Sequence, residues 1–307
     1  MIHFQPSRRI PKRSIASSIS SSICSGAIAI LGGLWLLSPL AFAQPSPSPT
    51  SLFPTSPDRH WQSIQQSGTL RVGLDPSLGA TYLYADPANN TYRGFEWDIL
   101  KAMVEPLGLK LQTVYIPWSQ QLQALTDGEV DLVMGAREAT GLDPERFLAS
   151  QPYYRSPQRL VIAANNPESI EDLSNLFGKK VGIVVDSTGA ALLETYNQSR
   201  GNAIRLFATS NPERLFAQLE AGQLDAVLID QPVAVAAIQK ATPTLKMVGS
   251  PLFPTPLVVV MAANHGSLKQ ALDQSLTTLT NDGTLKAILE EWQLWDPVAM
   301  PLASSED

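Results

Sequence analysis

The sequence predicts an α/β protein built from two related lobes. Short apolar runs alternate with amphipathic helical patterns along most of the 307 residues, as expected for strands joined by helices. A chain of this length is sufficient for about two domains. Residues 125–133 resemble residues 219–227 at a constant offset of 94, and each segment combines a helix end, a glycine and a strand. Related βαβ lobes are the simplest explanation; the alternative is chance recurrence of a junction that is common in α/β proteins.

The first 43 residues have the features of a secretory signal peptide. Four basic residues and no acid precede an apolar run at about 23–40, and an Ala-x-Ala site closes the segment at 41–43. Glycine, serine and proline interrupt the apolar run, which favours cleavage over the alternative of a retained membrane anchor. The proline- and serine-rich residues 44–59 predict an extended linker. We therefore expect an exported, periplasmic protein.

Composition excludes several classes of function. Outside the first 43 residues the net charge is about −10, which argues against nucleic acid as a partner. The single cysteine, Cys24, lies in the leader, so the body has neither a disulfide nor a thiolate nucleophile. No paired-histidine spacing and no phosphate-binding loop occur, so we expect neither a metal nor another cofactor.

Local patterns place the first secondary-structure elements of the body. Apolar residues recur every four positions from Phe95 to Leu107, which predicts a helix over that range. Ser119 can N-cap a second helix, which ends near Gly128. Short apolar runs predict strands at 69–74, 109–115 and 130–134.

Several predicted strands are followed by short polar and aromatic side chains. In open α/β sheets, ligands bind beyond the carboxyl ends of the strands, so two such rims facing each other would form a binding cleft. No nucleophile–base pair is evident among these residues, which indicates binding rather than catalysis. The rims lie at 74–78, 116–119, 135–140, 186–190 and 230–231.

A series of motifs from about Ser67 to Trp295 resembles the family-3 solute-binding proteins of ABC importers, which bind polar amino acids. Each motif alone is weakly specific, whereas their order and spacing together are typical of that family. They are Gly-Thr-Leu-Arg-Val-Gly at 68–73, Gly-Phe-Glu-Trp-Asp at 94–98, Gly-Glu-Val-Asp at 128–131, Gln-Pro-Tyr-Tyr at 151–154, Gly-Gln-Leu-Asp-Ala-Val-Leu-Ile-Asp at 222–230 and Asn-Asp-Gly-Thr-Leu at 281–285.

The resemblance implies a two-lobed Venus flytrap fold, in which each lobe is a mixed, mostly parallel sheet flanked by helices. Two hinge crossovers, near 160–161 and 257–258, would join the lobes, and a ligand in the cleft would stabilise the closed form. A monomer working with a membrane permease is the implied assembly. Lobe one is expected at 60–158 with 254–296 returning to it, lobe two at 159–253, and a C-terminal tail at 297–307.

The resemblance also implies residues that hold the α-ammonium and α-carboxylate of a ligand. Asp230 falls where family members bind the ammonium, although it could instead cap the helix that starts at Pro232. Ser187 and Thr188 open a helix whose free N–H groups suit a carboxylate. Asp186 could N-cap that helix and fill the slot itself.

The arginine that clamps the carboxylate in family members has two candidates in this sequence. Without gaps, Asp143 stands at its position; Arg137 and Arg146 are the alternatives, and the sequence does not separate them. Thr140 and Glu138 belong to the same rim.

Aromatic side chains and one further acid complete the expected site. Tyr82 or Trp118 could stack on a ligand, and core packing is the alternative for each. Asp75 is a plausible second partner for an ammonium group.

Two other functions are known on this scaffold. One is a cyclohexadienyl dehydratase, for which Glu138 would be the general acid. The other is a ligand-sensing module, which would need a separate signalling partner. We expect a binding protein that is not an enzyme.

Overall fold

The computed structural model describes residues 58–79, 81–86, 88, 91–241 and 244–296. The predicted signal peptide, nearly all of the linker and the C-terminal tail lie outside these residues. Helix α1 begins at Arg59 behind the N-cap Asp58, which accepts a hydrogen bond from the backbone N–H of Trp61. Within the described ranges, none of the helices is long and apolar enough to span a bilayer.

The protein contains two five-stranded mixed sheets and a small hairpin, as predicted for an α/β protein. The first sheet has the order β4-β1-β5-β12-β6, and the second has the order β11-β7-β10-β8-β9. The strands of the first sheet are β1 (Thr69–Leu74), β4 (Lys110–Tyr115), β5 (Leu132–Val133), β6 (Phe147–Ala149) and β12 (Val260–Ala262); those of the second are β7 (Tyr154–Ala163), β8 (Lys180–Val184), β9 (Arg205–Thr209), β10 (Ala226–Asp230) and β11 (Leu245–Leu257); β2 (Tyr84–Asp86) and β3 (Thr91–Arg93) form the hairpin.

Helices connect the strands and cover the sheets. Helix α2 buries Phe95, Ile99 and Met103 on one face, as its four-residue spacing predicts, and it packs against α7 and α8. The helices are α1 (Arg59–Ser67), α2 (Phe95–Val104), α3 (Gln121–Thr126), α4 (Thr188–Ser199), α5 (Pro212–Glu220), α6 (Gln231–Ala241), α7 (Gly266–Asn281) and α8 (Thr284–Glu291).

The two sheets share one topology. Strand β1 pairs in parallel with β4 and β5, and β8 pairs in parallel with β9 and β10. Gly73 lies opposite Val133 in the first sheet, and Gly182 lies opposite Val227 in the second, so the offset of 94 joins equivalent positions. A side chain at either glycine would come within 3.3 Å of its valine partner, which explains why both positions hold glycine.

Equivalent aspartates lock the two sheets in the same way. Asp131 accepts a hydrogen bond from the backbone N–H of Arg71 at 2.7 Å, and Asp225 accepts one from Lys180 at 2.7 Å. Asp131 also forms an ion pair with the Arg71 guanidinium at 2.6 Å. Both aspartates therefore stabilise the fold by fixing the strand that follows them against its neighbour.

The chain crosses between the sheets twice. The first crossing lies between β6 and β7, where Ser150 and Val259 exchange hydrogen bonds, and the second follows Leu257. Leu160 and Val161, predicted at the first crossover, instead lie within β7 opposite Val248 and Met247. Their apolar character reflects burial inside the second sheet rather than a hinge position. The lobe boundaries at 158/159 and 253/254 remain a prediction.

Two local predictions need correction. Ser119 lies inside a 3-10 turn, Trp118–Gln120, and therefore does not cap a helix; α3 begins at Gln121. The strand predicted at 130–134 has only two residues in regular pairing, because the backbone turns sharply at Gly135 and Ala136, both of which have positive φ.

Candidate functional site

A cavity of about 610 Å³ lies at the carboxyl ends of strands from both sheets. Eight of the ten residues predicted to bind a ligand line it, and Asp75 and Arg146 do not. The predicted residues in the lining are Tyr82, Trp118, Arg137, Glu138, Thr140, Ser187, Thr188 and Asp230. Further lining residues include Ser156, Gln158, Asp186 and Thr255.

Arg137 follows β5 and presents a buried guanidinium to this cavity. Its Nε and Nη2 donate to the Oε1 of Gln121 at 3.2 and 3.1 Å, and Nη2 also donates to the carbonyl oxygen of Trp118. The guanidinium carbon lies 3.6 Å from the centroid of the Trp118 ring. Burial lowers the pKa of Arg137 to about 10, so the group stays cationic at neutral pH.

One nitrogen of this guanidinium, Nη1, remains for a ligand. Nη1 of Arg137 makes no hydrogen bond to any residue that the structure describes, and no described carboxylate pairs with the group. A cationic guanidinium with an unused nitrogen suits a ligand carboxylate.

Asp230 ends β10 and approaches the cavity from the second sheet. The hydroxyl of Tyr82 donates to its Oδ2 at 2.5 Å and lies 3.3 Å from the Oγ of Ser156. Burial raises the pKa of Asp230, the hydrogen bond from Tyr82 opposes that rise, and the nearby charge of Glu138 adds to it. Helix α6 begins directly after Asp230, at Gln231.

The start of α4 forms another part of the wall. Ser187 is the N-cap, and its Oγ accepts from the backbone N–H of Ala190 at 3.1 Å. Asp186 is therefore not the N-cap, which corrects the alternative that it fills the slot; it is exposed and has a φ of 58°. The hydroxyl of Thr188 donates to the Oε1 of Glu138 at 2.6 Å. This bond joins the start of α4 to the loop that follows β5.

Asp75 and Arg146 have structural roles away from the cavity. Asp75 accepts hydrogen bonds from Ser77 and from the backbone N–H of Trp118 at 2.8 Å, so it orients Trp118. Burial would raise the pKa of Asp75, but these bonds outweigh that effect and lower it. Arg146 donates to Thr126 at 3.0 Å, with its guanidinium carbon 5.2 Å from the centroid of the Phe147 ring. Arg137 is thus the candidate arginine that reaches the cavity.

Four polar residues in and behind the wall were not predicted. Ser156 and Gln158 face the cavity from alternate positions of β7. Polar residues at alternate positions of an otherwise apolar strand are a pattern that the sequence does contain.

Gln121 is fully buried and orients Arg137. Glu96 is buried behind Ala136 and accepts hydrogen bonds from its backbone N–H at 2.7 Å and from the Tyr153 hydroxyl at 2.6 Å. An acidic residue among the apolar residues at the start of α2 is the sequence pattern that could have indicated a buried Glu96.

The chemistry of the site is that of ion pairing and hydrogen bonding. Across the described residues, histidine, cysteine, aspartate and glutamate side chains form no group of three or more that could hold a metal ion. The guanidinium of Arg137 on one wall and the carboxylate of Asp230 on the opposite wall suit a small ligand that carries charges of both signs.

Comparisons with known proteins agree with this geometry. A sequence profile of the bacterial extracellular solute-binding proteins, family 3, matches residues 70–294, which is most of the chain. The probable amino-acid-binding protein YxeM of Bacillus subtilis is 25% identical over 232 residues, covering 75% of this chain and 86% of that protein. The L-cystine-binding protein TcyJ of Escherichia coli K12 is 25% identical over 230 residues, covering 75% and 84%.

A solved structure of an ancestral arginine-binding protein bound to arginine is 27% identical, with a TM-score of 0.59, and covers 73% of this chain and 98% of that one. The family resemblance and the two-lobed α/β fold predicted from the motifs are confirmed. The chain belongs to the bacterial extracellular solute-binding proteins of family 3.

Proposed function

We propose that this protein is the solute-binding component of an ABC importer and that it captures an amino acid in the cavity between its two sheets. The observation that carries the proposal is that the guanidinium of Arg137, with Nη1 unused, and the carboxylate of Asp230 line one cavity. A zwitterion matches this pair, with its carboxylate at Arg137 and its ammonium at Asp230. Relatives named for binding cystine and arginine support this choice.

Capture would proceed by closure of the cleft. Arg137 follows a strand of the first sheet and Asp230 ends a strand of the second, so a ligand held by both stabilises the arrangement in which the sheets approach each other. Two direct bonds, from Tyr82 to Asp230 and from Thr188 to Glu138, join the same walls. A membrane permease would then recognise the closed form.

The predicted signal peptide indicates where the protein acts. We propose export to the periplasm through the signal peptide at 1–43, followed by action as a monomer that releases its ligand chemically unchanged. Neither nucleic acid nor a cofactor has a part in this function. Incubation with prephenate should yield no product by chromatography, and turnover would contradict the binding role.

Calorimetric titration with the twenty common amino acids tests the proposal. We expect at least one to bind, and we expect Arg137→Ala and Asp230→Ala each to weaken it about 10- to 100-fold, because each removes a charge-assisted hydrogen bond. Arg146→Ala is the matched control, since it removes an arginine outside the cavity. This variant should bind the amino acid as tightly as the wild type does. Binding that survives both cavity substitutions would place the ligand elsewhere.

A further inference from the structure

The charges that line the cavity are unequal. Three carboxylates, Glu138, Asp186 and Asp230, face it together with one cationic side chain, Arg137. The lining that the structure describes contains no lysine or histidine. A zwitterionic ligand would use one charge of each sign and leave two carboxylates over. Asp186 is exposed at the rim, where water can solvate it, whereas Glu138 is half-buried.

Glu138 has no cationic partner among the residues that the structure describes. Its Oε1 accepts from the neutral hydroxyl of Thr188 at 2.6 Å, and within the described part of the chain no lysine, arginine or histidine forms an ion pair with it. Although Glu138 adjoins Arg137 in sequence, the two side chains contact different groups: Arg137 contacts Gln121 and Trp118, whereas Glu138 contacts the start of α4.

Glu138 also lies close enough to Asp230 to affect it electrostatically. The two carboxylates line the same cavity, and the charge of Glu138 contributes to the rise in the pKa of Asp230. Closure of the cleft around a ligand removes water from this region and makes an unpaired carboxylate costly. A second positive charge on the ligand would remove that cost.

We propose that Glu138 determines specificity and selects amino acids whose side chain carries a positive charge, an ammonium or a guanidinium. This inference rests on the proposed function, because it assigns the α-carboxylate to Arg137 and the α-ammonium to Asp230. The side-chain cation then pairs with Glu138, next to the Thr188 hydroxyl. A cavity of about 610 Å³ is within the usual range for a small ligand.

Calorimetric titration with L-arginine and L-citrulline tests this selection directly, because citrulline replaces the guanidinium with a neutral group at the same chain length. We expect the wild-type protein to bind arginine at least about tenfold more tightly than citrulline. Glu138→Gln should weaken arginine about 10- to 100-fold and change citrulline by less than about threefold. Glu145→Gln is the matched control, since it removes an exposed carboxylate outside the cavity lining and should preserve the arginine preference.

The outcomes separate this inference from the proposed function. If the wild-type protein binds citrulline as tightly as arginine, the proposal that Glu138 selects cationic side chains is wrong. The proposal that the protein captures an amino acid still stands. An arginine preference that persists in folded Glu138→Gln protein also overturns the selection by Glu138. If none of the twenty common amino acids binds, the proposed function itself fails, and the inference fails with it. The wild-type comparison does not depend on how the variant folds.

Discussion

Replacing Glu96 by glutamine should change how the stability of this protein depends on pH. Glu96 is 2% exposed, and its Oε1 accepts hydrogen bonds from the backbone N–H of Ala136 and the hydroxyl of Tyr153. Its Oε2 is buried and has no hydrogen-bond partner among the described residues. Burial raises the pKa of Glu96 from its ordinary value of 4.5 to about 7, even though the two hydrogen bonds oppose the rise.

The size of the effect follows from that pKa. A rise from 4.5 to about 7 means that ionising the buried group costs the folded state about 3 kcal/mol. Between these pH values the folded protein binds more protons than the unfolded chain, so the free energy of unfolding falls as the pH rises. The full contribution of protonated Glu96 is present below about pH 4.5 and is lost above about pH 7.

Urea denaturation of wild-type and Glu96→Gln protein at about pH 5, 7 and 8.5 measures this contribution. The free energy of unfolding of the wild type, minus that of the variant, should fall by about 2.5 kcal/mol across this range, because part of the contribution is already lost at pH 5. The glutamine Oε1 can still accept from Ala136 and Tyr153, so the local geometry is kept. Burial lowers the pKa of His265, and its titration changes stability in the opposite direction, but it is common to both proteins and cancels.

Glu145→Gln provides the control for this experiment, because it removes an exposed carboxylate and should leave the pH dependence unchanged. A difference between wild type and Glu96→Gln that stays constant within about 1 kcal/mol over the whole range would refute the reasoning. It would mean that Glu96 is solvated or has an ionic partner in solution.

Three further predictions follow from the packing and the site. Gly94→Ala should destabilise the protein by at least about 3 kcal/mol in urea denaturation, because the new Cβ would lie 2.1 Å from the carbonyl oxygen of Tyr82; a loss under about 1 kcal/mol would contradict this. Asp131→Asn should lower the free energy of unfolding by about 3 kcal/mol in the same assay, because the Arg71 guanidinium loses its ion pair. An unchanged midpoint of urea denaturation would contradict this. Tyr82→Phe removes a hydrogen bond that lowers the pKa of Asp230, so Asp230 should protonate at a higher pH in the variant. On acidification, amino-acid affinity measured by calorimetry should therefore begin to fall at a higher pH than in the wild type. Identical pH profiles would exclude this role.

Much of the fold could be predicted from the sequence because its signals are local and repeated. The offset of 94 residues joins a helix end, a glycine and a strand in each sheet, and Asp131 and Asp225 occupy equivalent positions there. The burial of Phe95 and Met103 follows from their spacing alone. The position of the first crossover could not be predicted in this way, because an apolar run such as Leu160 and Val161 is the same in a sheet interior and at a hinge.

The site was less predictable because its geometry depends on contacts between distant segments. Arg137 and Arg146 are equivalent candidates in the sequence, and only the turn at Ala136, held by Glu96, directs one of them to the cavity. Asp75 follows a strand as a ligand residue would, but its carboxylate bonds to its own turn and to Trp118. The end of a strand indicates a place in the fold, not the direction of the side chain.

The order of strands in the first sheet has a consequence for the order in which the two sheets can form. Strand β12 lies between β5 and β6, yet it comes after every strand of the second sheet in sequence. When the chain becomes available from its N-terminal end, β6 therefore has no strand on which to assemble until residues 260–262 are present. The second sheet, whose strands are contiguous in sequence from Tyr154 to Leu257, can assemble before the first is complete.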